Sequence, residues 1–104
     1  MSLSKKQREF TKAITALLNY GLSLGYEFTF GDAYRADTCT HGHTQSCHRS
    51  RLAVDFNLFV DGEYITDSDH IAFHILHDYW DMLGGARRIS NDMNHFSFEH
   101  NGII

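Results

Sequence analysis

The feature that most narrows what this chain can fold into is a carboxylate set inside an apolar strand. Leu52, Val54, Phe56 and Leu58 alternate with Ala53, Asp55 and Asn57, the period of a strand with two distinct faces. Asp55 therefore projects from the face opposite the Val and Phe side chains. A carboxylate there is costly unless a charge or a hydrogen bond meets it. His48 stands seven positions before Asp55, in a loop that can fold back over the same face. A cation held jointly by His48 and Asp55 meets the need.

A second cluster, Asp92-Met93-Asn94-His95-Phe96-Ser97-Phe98, lies near the C-terminus. Phe96 and Phe98 alternate with His95 and Ser97, again as in a strand. His95 opens it, and Asp92 lies three residues upstream in a polar turn. Two His and one Asp leave a fourth position for water, the arrangement of a catalytic rather than a structural zinc. Asp92 is then a carboxylate beside the metal that ligation does not need, available to take a proton from that water. Glu99, four residues past His95 at the strand end, is the less well placed base.

Ser46-x-His48-x(6)-Asp55 followed by Asp92-x-x-His95 resembles the zinc metallopeptidases that include D-alanyl-D-alanine carboxypeptidases and dipeptidases. It also looks like the L-alanyl-D-glutamate endopeptidases of phage lysis systems. The run from Arg51 to Thr66, then Trp80, then Asp92 to Ser97, is similar to small phage-encoded members. The resemblance covers about the last two-thirds of the chain. Arg51 stands where the more familiar pattern has Gly. Asp92 stands where the dipeptidase branch has Glu and fits the endopeptidase branch. The resemblance implies that His48, Asp55 and His95 bind Zn²⁺ and that Asp92 is the base. It also implies that Arg35, before the first ligand motif, holds a substrate carboxylate or the developing oxyanion, which suits a guanidinium fork. A surface ion pair with Asp32 or Asp37 is the plainer role for Arg35.

At 104 residues the chain makes one domain, 1–104, with one modest core. A net charge of −4 argues against nucleic acid as the main partner. No apolar run approaches the ~18 residues of a membrane span. The polar start, Met1 to Lys12, lacks the apolar core of a signal peptide. Synthesis in the cytoplasm is expected, and the resemblance implies action on the cell wall after release, in keeping with a phage or prophage origin. The chain is expected to be a monomer.

Residues 4–24 read as a helix with Ser4 as N-cap and an apolar stripe of Phe10, Ala13, Ile14, Leu17, Leu18 and Leu24. Gly25 is the expected stop. Residues 26–31 read as a strand, 36–50 as a long polar loop that forms one wall of a substrate groove. Asp61-Gly62 marks a hairpin between 52–60 and 63–65. Residues 66–69 offer N-caps for a helix over 70–83 that Gly84-Gly85 ends. Residues 86–89 suit a short edge strand and 95–99 the last one. The sum is an α+β domain: a small, mainly antiparallel sheet with two covering helices and the metal groove on the other face, hedgehog or D-Ala-D-Ala peptidase-like in what the resemblance implies.

Eight His raise the expectation of metal without locating it. Cys39, His41, His43 and Cys47 also offer zinc donors, but their spacing matches no standard finger, and cytoplasmic origin favours free thiols over a disulfide. His70, His74 and His77 share a helical spacing; solvated or capping roles are expected of them rather than a second metal. Ser46 either bonds a substrate group or serves the turn. Trp80 either lines the substrate pocket or fills the core. The function expected is zinc-dependent hydrolysis of a peptide bond in peptidoglycan stem peptides, with L-alanyl-D-glutamate endopeptidase activity first. The alternatives are a D-Ala-D-Ala carboxypeptidase or dipeptidase, a non-catalytic zinc module with Cys39 or Cys47 as fourth ligand, and a hedgehog-type domain that shares the ligand set but can be a binding protein.

Overall fold

The computed structural model describes residues 2–31 and 50–104. Its elements follow in the order α1 (Leu3–Ser23), β1 (Tyr26–Phe30), β2 (Ala53–Val60), β3 (Glu63–Tyr64), α2 (Ile71–Met82) and β4 (His95–Ser97). The result is the expected α+β arrangement. β2 is the organising strand: it pairs antiparallel with β1, β3 and β4. Its first half meets β4, with Ala53, Val54 and Asp55 opposite Ser97, Phe96 and His95. Its last two residues meet β3.

The chain enters α1 two residues earlier than Ser4 would allow. Ser2 is the N-cap, its hydroxyl accepting from the Lys5 amide at 3.1 Å, which satisfies one of the donors every helix start leaves over. Phe10, Ala13, Leu17 and Gly21 form the buried stripe, while Leu24 is exposed. Gly25 ends the helix at φ 88°, a conformation open to glycine at little cost. The hairpin turn carries φ 54° at Asp61 and 77° at Gly62, the two left-handed residues of a type I′ turn.

The N-cap of α2 is His70, one residue beyond the expected run of acidic caps. Its Nδ1 accepts from the Ala72 amide at 3.0 Å. Residues 86–89 form no strand. The segment is instead tied by the Ala86 amide to the Ser97 carbonyl at 2.8 Å, which gives that stretch one anchor and no ladder.

Both helices pack on one face of the sheet. Phe10, Ala13 and Leu17 of α1 and Phe73, Leu76 and Trp80 of α2 share a core with Val54, Phe56, Leu58 and Phe96. By strand alternation Asp55 and His95 then lie on the opposite face, as expected. Trp80 is fully enclosed. Its Nε1–H donates to the Ser97 carbonyl at 3.0 Å, and its ring meets Phe10 and Phe96 edge-on and stacks on Phe98. Its reading as a substrate-pocket residue therefore gives way to a core role, since an indole with no exposed surface has none to offer a substrate. Gly85 follows from this: a Cβ there would overlap Trp80 Nε1 and Cδ1.

Among the described residues, no helix is long and apolar enough to cross a membrane.

Candidate metal centre

Asp55 and His95 are brought together by sheet register. They are direct partners in the β2–β4 ladder, so their side chains rise from the same face at the closest spacing a sheet offers. Asp55 Oδ1 lies 3.0 Å from His95 Nδ1. Their side chains are 13% and 7% exposed. Burial at this level makes each group depend on the other, because a lone carboxylate or imidazolium would lose its hydration without replacement.

On its other side Asp55 faces a glycine. The Gly31 amide donates to the Asp55 carbonyl at 2.8 Å, extending the β1–β2 ladder by one step. A Cβ at Gly31 would stand 3.2 Å from both Cβ and the carbonyl oxygen of Asp55. The glycine thus keeps side-chain bulk away from the carboxylate, while His95 occupies the opposite flank.

Asp92 sits in the turn that delivers His95. The His95 amide donates to the Asp92 carbonyl at 3.1 Å, and the Asp92 amide to the Ile89 carbonyl at 3.0 Å. The Phe56 amide donates to the Asn94 carbonyl at 2.9 Å, which locks this turn onto β2 beside Asp55. Asp92 itself is exposed. A buried carboxylate–imidazole pair thus has an exposed carboxylate one short turn away.

Two of the three expected donors are side chains of a kind zinc takes. An oxygen and a nitrogen each at about 2.0–2.1 Å from a tetrahedral ion lie roughly 3.3 Å from each other, close to the 3.0 Å seen here. Carboxylate and imidazole are both ordinary zinc donors. Among the described residues no group of three His, Cys, Asp or Glu side chains gathers. The third expected ligand, His48, lies outside the described residues, as do Arg35, Ser46, Cys39, His41, His43 and Cys47.

Arg51 adopts φ 57°. That is the left-handed region glycine favours. The backbone conformation just before β2 is thus one a glycine would also take, with Arg51 strained to hold it.

His70, His74 and His77 have three separate tasks. His70 caps the helix. His74 lies between Asp69, at 2.8 Å from Nε2, and Arg88, at 3.2 Å from Nδ1. Arg88 also donates to Asp78 and Asp81 at 2.6 and 2.8 Å, and these carboxylates, Asp78 foremost, raise its guanidinium pKa further. Arg88 is therefore engaged with α2. His77 is wholly buried, against the solvated or capping role its spacing suggested. Its apolar neighbours on the stripe explain this: Phe73 and Trp80 lie four before and three after it, on the same helical face.

A cleft of about 220 Å³ opens beside β2, its lining including Asn57, Tyr64, Thr66, Ser68, Asn91 and Asn94. Amide and hydroxyl groups of this kind hydrogen-bond peptide backbones.

Neither a scan against protein-family models nor a search of curated proteins finds a match for this chain.

Proposed function

We propose that this chain is a zinc-dependent peptidase acting on the stem peptides of peptidoglycan, with cleavage between L-Ala and D-Glu as the first activity to test. The observation that carries this reading is the buried Asp55–His95 pair on adjacent strands, with Asp92 exposed three residues before His95. The sequence resemblance supplies the substrate class.

In this reading Asp55, His95 and His48 hold the ion. Zinc, when bound, lowers the pKa of water toward ~7 and polarises the scissile carbonyl. Asp92 accepts a proton from the attacking water and returns it to the leaving amine. Arg35 holds the developing oxyanion or anchors a substrate carboxylate. The protein works as a monomer, made in the cytoplasm and reaching the wall on release, as part of a phage or prophage lysis function.

A second reading, a non-catalytic zinc module, is favoured by one observation, the low exposure of both donors. It requires four protein donors around the ion and no role for Asp92.

The test is digestion of purified sacculi with and without a chelator, with fragments read by mass. The proposal expects zinc-dependent release of L-Ala–D-Glu cleavage products. Release of free D-Ala would shift it to a carboxypeptidase. No fragment from a zinc-loaded protein would leave the binding module.

A further inference from the structure

The turn from Asp92 to His95 has to hold a base and a ligand in fixed relation, and its anchors can be counted. Its ends are held by main chain: the Asp92 amide on the Ile89 carbonyl, the His95 amide on the Asp92 carbonyl, and the Asn94 carbonyl on the Phe56 amide. At the middle peptide, side chains do the holding. The Met93 amide donates to Ser68 Oγ at 3.3 Å. The Met93 carbonyl lies 2.7 Å from His77 Nε2.

His77 is an expensive choice for that position. It is 0% exposed, its ring lies flat on Phe96 with centroids 4.2 Å apart, and its Nδ1 is buried without a hydrogen-bond partner. An apolar ring would fill the space and strand no ring nitrogen. The imidazole supplies one thing a phenyl cannot, an N–H. Burial lowers its pKa from 6.5 to about 4, so at neutral pH it carries one ring hydrogen. A carbonyl can only accept, which puts that hydrogen on Nε2.

Resting on the zinc reading above, we infer that His77 is a positioning residue for the metal centre: from α2 it donates to the Met93 carbonyl and so fixes the Asp92–His95 turn, and with it the aim of His95 and Asp92. Phe96, clamped under the His77 ring, is the residue next to His95 and faces the core. α2 thus grips the turn and the strand on both sides of the ligand. Supports that orient metal ligands through such contacts typically carry 10–100-fold in metal affinity.

The experiment compares wild type with His77→Phe, which keeps the ring stack and loses the donor, and with His77→Gln, whose amide nitrogen takes the place of Nε2. Zinc affinity is measured by competition with a chromophoric chelator, and folding by near-ultraviolet circular dichroism. The expected result is a folded His77→Phe whose zinc affinity is lower by about tenfold or more, with most of the loss recovered in His77→Gln. Affinity within twofold of wild type in a folded His77→Phe overturns the inference and leaves the zinc reading standing. Equal loss in the Phe and Gln variants also overturns it, assigning His77 to packing alone. Should His77→Phe not fold, His77→Asn, whose amide is too short to reach Met93, is compared with His77→Gln by the same criterion. A wild type that takes up no zinc overturns both the zinc reading and this inference.

Discussion

Asp55 and His95, forty residues apart in sequence, face each other directly across the β2–β4 ladder with Oδ1 and Nδ1 separated by 3.0 Å. The pairing is a consequence of register. A slip of β4 by one residue would turn His95 toward the core face that Val54 and Phe96 fill and part it from Asp55. The apolar face of β2 therefore determines where the carboxylate and imidazole meet.

If the pair holds zinc, the ion stabilises the folded chain and not the unfolded one. Free zinc at 100 times its dissociation constant should then add about 2.7 kcal/mol to the unfolding free energy. Denaturant titrations with zinc and with excess chelator measure the difference. In Asp55→Ala and His95→Ala the increment should vanish.

Asp92 is argued to move a proton, not to hold the ion. Asp92→Asn keeps the size of the side chain and removes its basicity. Turnover on stem-peptide fragments should fall by about 10²–10⁴-fold, with zinc affinity close to wild type. Activity and zinc binding lost together would instead make Asp92 a ligand.

Burial of His77 ties stability to pH. Its folded pKa is about 4 against an ordinary 6.5, with desolvation the leading cause. Between those values the unfolded chain takes up a proton that the folded chain refuses. This group's contribution is complete above pH 6.5, declines as pH falls, and is exhausted below about pH 4, for a total of about 3 kcal/mol. Urea titrations of metal-free protein from pH 7.5 to 4 should show that decline. In His77→Phe the curve should be flatter by a similar amount.

Gly85 is fixed by Trp80. Its amide donates to the Trp80 carbonyl at 2.9 Å, and a methyl group would enter the indole. Gly85→Ala should cost about 1–3 kcal/mol by overpacking, measured as a lower urea midpoint. The change also disturbs the Trp80 bond to the Ser97 carbonyl, so indole fluorescence of the folded variant should shift.

Much of this architecture is legible in the chain itself. The alternation around Asp55 gives β2 and its two faces, Asp61-Gly62 gives the hairpin, and Gly25 gives the end of α1. The Asp55–His95 meeting follows from two strand patterns with a polar residue at matching positions. Other features are decided by tertiary contacts that local pattern does not carry. Ser2 and Ser4 are both competent caps, and the structure selects Ser2. His70 caps α2 although Asp67, Ser68 and Asp69 precede it, with Asp67 serving the Asp69 amide instead at 2.9 Å. Residues 86–89 have strand-like composition but pair with no strand among the described residues. The signal for His77 was present: the stripe Phe73, Leu76, Trp80 encloses position 77, while its spacing from His70 and His74 suggested a shared polar face.

The most direct measurement is an anomalous difference map from a zinc-loaded crystal. One zinc is expected at about 2.0–2.2 Å from Asp55, His95 and His48, with the fourth position filled by a solvent oxygen. A peak bound elsewhere, or His48 turned away from the Asp55–His95 pair, would contradict it.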